Sequence, residues 1–435
     1  MNILVISPHF PFPPRAGVNV RTYNLLRQLA ARHDVTLLSY AGPRDEDGVE
    51  ALGRSLRVVT VERLDSARAI RRFRQLRSIV TFQSFWVPEI CSATLQHAVD
   101  DVCATVPFDL VQIEASALCA LEIPPGIRVV LDAHNIEYEL LQRLAAGERS
   151  LARRAFNTFE YRRYRRFEER SWTHVDGCLV TSGREERIVG ATAPQTPTAV
   201  VPNGVDLEFF RPSNAAVEPR TVVFNGTLGY RPNVDAAHHL VEDVWPLVQA
   251  QYPDARLLIV GSVPEAERRS LARPSVILTG EVPDIRSYLG RATVVVVPVR
   301  MGGGTRLKVL EGLAMEKPMV STSVGCEGIA TRDGVHLLIA DDAPSFASRI
   351  SQLFADSTLR ERLGKAGRSL IEAEYSWDLA GCRLEELYQR VAADRPGHTT
   401  SKGNGKIRAE REWTVPEAAA SGSSVSHVWE TARTD

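Results

Sequence analysis

Cysteine is scarce in this 435-residue chain, and its six copies (Cys91, Cys103, Cys119, Cys178, Cys326, Cys382) form no C-x-x-C pair. That spacing speaks against a zinc site or a disulfide framework and fits a reducing compartment. No apolar run approaches the ~20 residues that cross a bilayer. The opening MNILVISPHF has neither a basic n-region nor a long apolar h-region, so no secretory signal is expected and the expected location is the cytoplasm. An excess of one charge is missing too. The chain carries 52 Lys and Arg against 53 Asp and Glu, a net charge of -1, which leaves no global field for nucleic acid or an anionic surface. There is no G-x-G-x-x-G, hence no case for NAD. The D-x-D at Asp45-Glu46-Asp47 lies in the polar stretch GPRDEDG, which reads as a solvated loop, and no metal is expected.

What is present is a repeated alternation of short apolar runs and amphipathic stretches, the pattern of a parallel sheet wrapped by helices. NILVIS (2–7), DVTLLS (34–39), RVVTV (57–61), DLVQI (109–113), RVVLD (128–132) and DGCLVT (176–181) read as strands buried on both faces. A helix is expected from about Val18 to Ala31. The series restarts with TVVFN (221–225), ARLLIV (255–260), SVILT (275–279), TVVVVP (293–298), PMVST (318–322) and HLLIA (336–340). Between the two series, Asn203-Gly204 signals a turn, and the following Pro- and Asn-containing stretch reads as a linker. The expected organisation is an N-terminal Rossmann-like domain over 1–204 and a second over 205–376, facing across a cleft. A C-terminal helix over 377–395 and a disordered tail over 396–435 complete the chain.

Ligands of doubly wound sheets bind beyond the carboxyl ends of the strands, so the strand-to-helix loops carry the functional reading. The most informative is PVRMGGGTRLKVLEGLA. Gly302-Gly303-Gly304 permits close backbone approach, Thr305 is a candidate N-cap, and the helix start that follows is an anion site. Arg306 and Lys308 fall in the first turn, where the macrodipole disfavours positive charge unless an anion binds. Glu311 lies on an otherwise apolar helix, and a buried carboxylate there needs partners, either ribose hydroxyls or Lys308. In the first half, Gly17 stands where a loop meets a helix start, and His134-Asn135 directly follows a strand ending at Asp132.

These segments resemble the family 4 glycosyltransferases (glycosyl transferases group 1). The resemblance runs over roughly residues 1–392 and is strongest in VPNGVD, FNGTLGYRPNVDA, ILTGEVPD, GGGTRLKVLEGLA, SVGCEGI and EYSW. It implies the GT-B architecture and transfer of a sugar from a nucleoside-diphosphate sugar to a sugar, glycan or lipid-linked acceptor. Retention of anomeric configuration, no metal and no further cofactor are implied as well. By resemblance, Glu311 binds the donor ribose, and the loop Thr279-Gly280-Glu281-Val282 holds the base through groups such as those of Gly280 and Val282. Gly17 approaches the phosphates, and His134 faces the donor sugar. The family has a first glutamate where this chain has Gly303, and an arginine where it has Thr227, just after Gly226. Arg231, Arg306 and Lys308 are the cations available in its place, and Glu327 is a nearby carboxylate.

Similar enzymes commonly serve cell-surface polysaccharide or glycolipid assembly. Two rival readings share the scaffold: a nucleotide-sugar epimerase or hydrolase, and a non-catalytic nucleotide-binding module. The Arg- and aromatic-rich ERSLARRAFNTFEYRRYRRFEERSW places Ala152, Ala155, Phe156 and Phe159 at i, i+3, i+4 and i+7. An amphipathic helix packed on the first domain is the reading; AIRRFRQLRSIV (69–80) adds weight to a peripheral contact with the inner face of a membrane.

Overall fold

The computed structural model describes residues 1–14, 17–62, 84–148, 150–213, 215–302 and 304–393. Gly303, the basic run 69–80 and the expected disordered tail lie outside the described residues. The chain divides into two compact units, Met1–Pro202 with the last helix from Ala380 onward, and Asn203–Leu379.

The first unit is built on seven parallel strands: β1 (Asn2–Ser7), β2 (Asp34–Ala41), β3 (Arg57–Glu62), β4 (Leu110–Ile113), β5 (Arg128–Ala133), β6 (Gly177–Val180) and β7 (Thr198–Val200). Their order is β3-β2-β1-β4-β5-β6-β7. β4 is buried at every position and β1 at all but its first, as uninterrupted Val, Ile and Leu runs require when helices cover both faces. The first helix, Gly17–Ala30, lays Leu25, Leu26 and Leu29 into the core.

The second unit holds six parallel strands: β8 (Thr221–Asn225), β9 (Arg256–Val260), β10 (Val276–Gly280), β11 (Val294–Val297), β12 (Met319–Ser321) and β13 (Leu338–Ile339). Their order is β10-β9-β8-β11-β12-β13. In each sheet the strand order reverses beside the first strand, so the switch points fall between β1 and β4 and between β8 and β11. Those are the places where an α/β sheet opens a crevice for ligand.

Asn203-Gly204 falls at the division between the two units and is tied down on the second. Val205 donates its N–H to Tyr375 O at 2.8 Å, and a Cβ on Gly204 would lie 2.8 Å from the Trp377 ring, so only glycine lets the chain pass there. Asp45-Glu46-Asp47 is not a loop but a short turn leading into the helix Glu46–Gly53, with Asp45 Oδ2 accepting from Gly42 N at 2.8 Å.

A further correction concerns the helix Leu151–His174. It packs within the first unit, but its buried face is Glu160, Arg163, Tyr164, Glu168, Ser171 and Trp172, not the alanine and phenylalanine stripe. Ala152 and Ala155 are exposed, and Phe159 is covered by the Arg163 guanidinium at 3.6 Å from its centroid. The reason is a capping duty. The Glu168 carboxylate accepts from the N–H groups of Glu137 (3.1 Å) and Tyr138 (2.9 Å) and from Ser116 Oγ (2.9 Å). It thereby satisfies the start of the helix Glu137–Ala146, whose own N-cap side chain makes no such bond. Burial holds the Glu168 pKa well above its ordinary value, with the Glu137 charge adding to it.

Candidate active site

At the switch point of the second sheet, β8 ends on Asn225 and the loop after β11 leads into the helix Leu307–Ala314. Thr305 is not the N-cap; Arg306 occupies that position in extended conformation (φ -81°, ψ 96°). The Thr305 hydroxyl is instead buried without a hydrogen-bond partner among the described residues. Gly302 (φ 111°) and Gly304 (φ 74°) take left-handed backbone that other residues resist. The tight loop they form brings Arg306 Nη1 back onto Gly304 O at 2.8 Å.

Lys308 is drawn inward rather than solvated. Its Nζ donates to Asn233 Oδ1 at 2.9 Å and stands 4.6 Å from the centre of the Phe224 ring. Burial lowers its pKa to about 7, against a smaller raising effect of Glu311, and the Arg306 charge lowers it further. Burial likewise raises Glu311 to about 6, with Lys308 and a hydrogen bond from Asn225 opposing. Asn225 Nδ2 donates to Glu311 Oε2 at 3.3 Å. A half-buried lysine and a carboxylate, both held near neutral pKa values, thus converge with Arg306 close by where the strand order reverses. Such perturbed groups mark functional sites more often than chance.

The chain around this cluster is held close. A Cβ on Gly226 would lie 2.9 Å from both the Asn233 amide and Lys308 Nζ. A Cβ on Gly261 would meet the Gly226 carbonyl, and Gly261 N donates to Gly280 O at 3.1 Å. Gly226, Gly261 and Gly280 (φ 77°) therefore stack three strand ends side by side, with Val282 packed against the core just beyond. Arg231 opens the helix Arg231–His238 and is exposed, so it is Asn233, two residues on, that meets Lys308. Asn225 and Asn233 were not singled out in the sequence, because a search for phosphate-binding cations passes over uncharged amides. Glu327 sits half-buried in the loop after β12.

In the first unit, Gly17 is exposed at the start of its helix, and His134 follows β5. His134 Nε2 is 2.9 Å from Glu114 Oε2 and 3.7 Å from Asp132 Oδ2. Burial alone would lower the His134 pKa, but Asp132 and Glu114 outweigh it and hold it above the ordinary value. Thr22 Oγ1 donates to Glu114 Oε2 at 2.8 Å, and Gln112 and Tyr388 extend the network. The ligand atoms of Glu114, Asp132 and His134 lie within 4.8 Å of one another, a spacing that could hold a metal ion. Asp132, however, gives both oxygens to Arg21, at 2.9 and 2.8 Å. A guanidinium therefore already supplies the positive charge there. Arg21, Glu114 and Asp132 are the residues that fix His134, and sequence spacing alone did not join them.

Two Rossmann-like units, each with its switch point lined by charged and glycine-bearing loops, define the GT-B glycosyltransferase architecture. The family comparisons agree: a glycosyl transferase 4-like domain matches residues 16–204, and a glycosyl transferases group 1 domain matches residues 219–356. The chain belongs to the group 1 glycosyltransferases of the family 4 type. It is 25% identical over 210 residues to the capsular polysaccharide biosynthesis glycosyltransferase CapM of Staphylococcus aureus, covering 45% of this chain and 55% of that protein. It is 30% identical over 210 residues to a GDP-mannose-dependent monoacylated alpha-(1-6)-phosphatidylinositol monomannoside mannosyltransferase of Corynebacterium glutamicum, covering 43% and 55%. The matches thus span about half the length of these relatives. The crystal structure of Anabaena HepE in complex with UDP-glucose superimposes with a TM-score of 0.64 at 14% identity, over 90% of this chain and 100% of that one, which shows the shared fold.

Proposed function

We propose that the protein transfers a sugar, with retention of anomeric configuration, from a nucleoside-diphosphate sugar to a glycan or lipid-linked acceptor in cell-surface polysaccharide or glycolipid assembly. The observation that carries this reading is the convergence of Arg306, Lys308 and Glu311 at the switch point of the second sheet. The GDP-mannose dependence of one relative and the capsular role of another support it. In this reading the second unit takes the donor and the first the acceptor. Glu311 holds the ribose. Arg306, Lys308 and the helix start at Leu307 stabilise the charge that builds on the diphosphate as its bond to the sugar breaks. His134, whose pKa its two carboxylates hold above the ordinary value, faces the donor sugar.

Because protein cations meet the diphosphate, activity should survive excess EDTA; loss of turnover that magnesium or manganese restores would contradict the reading. The assay pairs each candidate nucleotide sugar with and without acceptor. Transfer that needs acceptor, with the donor's anomeric configuration in the product, is the expected result. Turnover of donor alone would point to an epimerase or hydrolase, and nucleotide binding with no turnover of any sugar donor to a binding module.

A further inference from the structure

We infer that Asn225 determines specificity at the nucleotide site, positioning the Glu311 carboxylate and presenting its own amide oxygen to the ribose. This rests on the proposed placement of the donor ribose at Glu311.

Asn225 ends a strand whose preceding residues Val222, Val223 and Phe224 are fully buried, and it is itself only 7% exposed. An apolar residue would continue that run without cost, so the amide calls for a reason. Half of it is visible in the Nδ2 hydrogen bond to Glu311 Oε2 at 3.3 Å. The other half is open: Asn225 Oδ1 is buried and has no hydrogen-bond partner among the described residues. A buried acceptor without a donor is costly, and native proteins rarely leave one. Lys308 is already engaged, since its Nζ donates to Asn233 Oδ1 and lies over the Phe224 ring.

A vicinal diol matches what is left. One hydroxyl donates to the Glu311 carboxylate, and its neighbour donates to Asn225 Oδ1. Aspartate in the same place would offer the acceptor but lose the donor to Glu311 and set a second negative charge beside it. Only the amide provides both halves without charge.

The test is calorimetry with UDP and GDP and with their 2′,3′-dideoxy counterparts, on the parent, Asn225→Leu and Glu311→Gln. The parent should prefer the ribonucleotide of the base it accepts. Asn225→Leu should lose about tenfold in ribonucleotide affinity, the size of a hydrogen bond to a ligand hydroxyl, and keep its dideoxynucleotide affinity. That retained affinity shows that the variant folds. If Asn225→Leu keeps the parent's ribose preference while Glu311→Gln loses it, the inference fails and the donor site stands. A parallel loss of ribo- and dideoxynucleotide binding would reduce Asn225 to a structural role and also overturn the inference. A parent that shows no ribose preference, or binds neither nucleotide, removes both the inference and the reading beneath it.

Discussion

Arg21→Met should destabilise the first unit by about 3–5 kcal/mol, the cost of breaking a buried ion pair by removing one partner. Arg21 is 1% exposed and Asp132 fully buried. Arg21 satisfies both Asp132 oxygens and the Val201 carbonyl, the last at 2.8 Å. Methionine fills most of the volume but leaves a carboxylate without its countercharge. In thermal unfolding of the first unit the loss corresponds to a fall on the order of 10 °C. The companion variant Arg21→Met/Asp132→Leu should recover much of it, because it removes the orphaned charge rather than exposing it. Arg21→Met unfolding within about 1 kcal/mol of the parent would show that the pair does not hold this unit together. The variant also removes the Arg21 charge that lowers the His134 pKa, so the imidazolium should persist to higher pH.

Lys308→Met should weaken nucleoside diphosphate binding by about 1.5–3 kcal/mol, the range for a charge-assisted hydrogen bond. The empty protein should be no less stable for it. With its folded pKa near 7, Lys308 carries the full cost of a buried charge below pH 7. Between pH 7 and its unfolded value of about 10.5 the unfolded chain binds the extra proton, so this group makes stability rise with pH across that window. Glu311, raised to about 6, acts oppositely: its contribution falls as pH climbs from about 4.5 to 6.

A bound diphosphate returns the charge to Lys308. Parent affinity should therefore fall as pH rises through 7–9, and binding at pH 8 should take up close to one proton, read from the buffer dependence of the binding enthalpy. In Lys308→Met that pH dependence should flatten. An unchanged affinity and an unchanged proton uptake would place the phosphate away from Lys308.

Much of the fold could be read from the sequence because parallel strands buried on both faces announce themselves as apolar runs. TVVFN coincides with β8, and NILVIS with β1. β7 was missed because Thr198-Ala199-Val200 is three residues long, half-buried throughout, and runs straight into a turn signal. The long helix misled for the opposite reason. Its apolar stripe faces outward, while the buried face carries glutamates whose partners are backbone N–H groups of another helix start, and no periodicity reveals those.

At the switch point of the second sheet the glycines, Arg306, Lys308 and Glu311 stood out because charge at a helix start is conspicuous. The amides of Asn225, at the end of β8, and of Asn233, in the helix that follows it, were not. The same holds for Glu114 and Arg21. One residue past a strand and one inside a helix, they become partners of His134 and Asp132 only through the parallel packing of β1, β4 and β5.

The proposed function places the phosphates of a nucleoside diphosphate at Arg306 and its ribose at Glu311. Calorimetry on Arg306→Ala and Glu311→Gln, with the nucleoside and the nucleoside diphosphate, tests it most directly. Arg306→Ala should weaken diphosphate binding by about 1.5–3 kcal/mol and barely change nucleoside binding. Glu311→Gln should weaken both ligands alike, since both carry the ribose. If Arg306→Ala binds the diphosphate as tightly as the parent, the phosphate lies elsewhere and the account of this site is wrong.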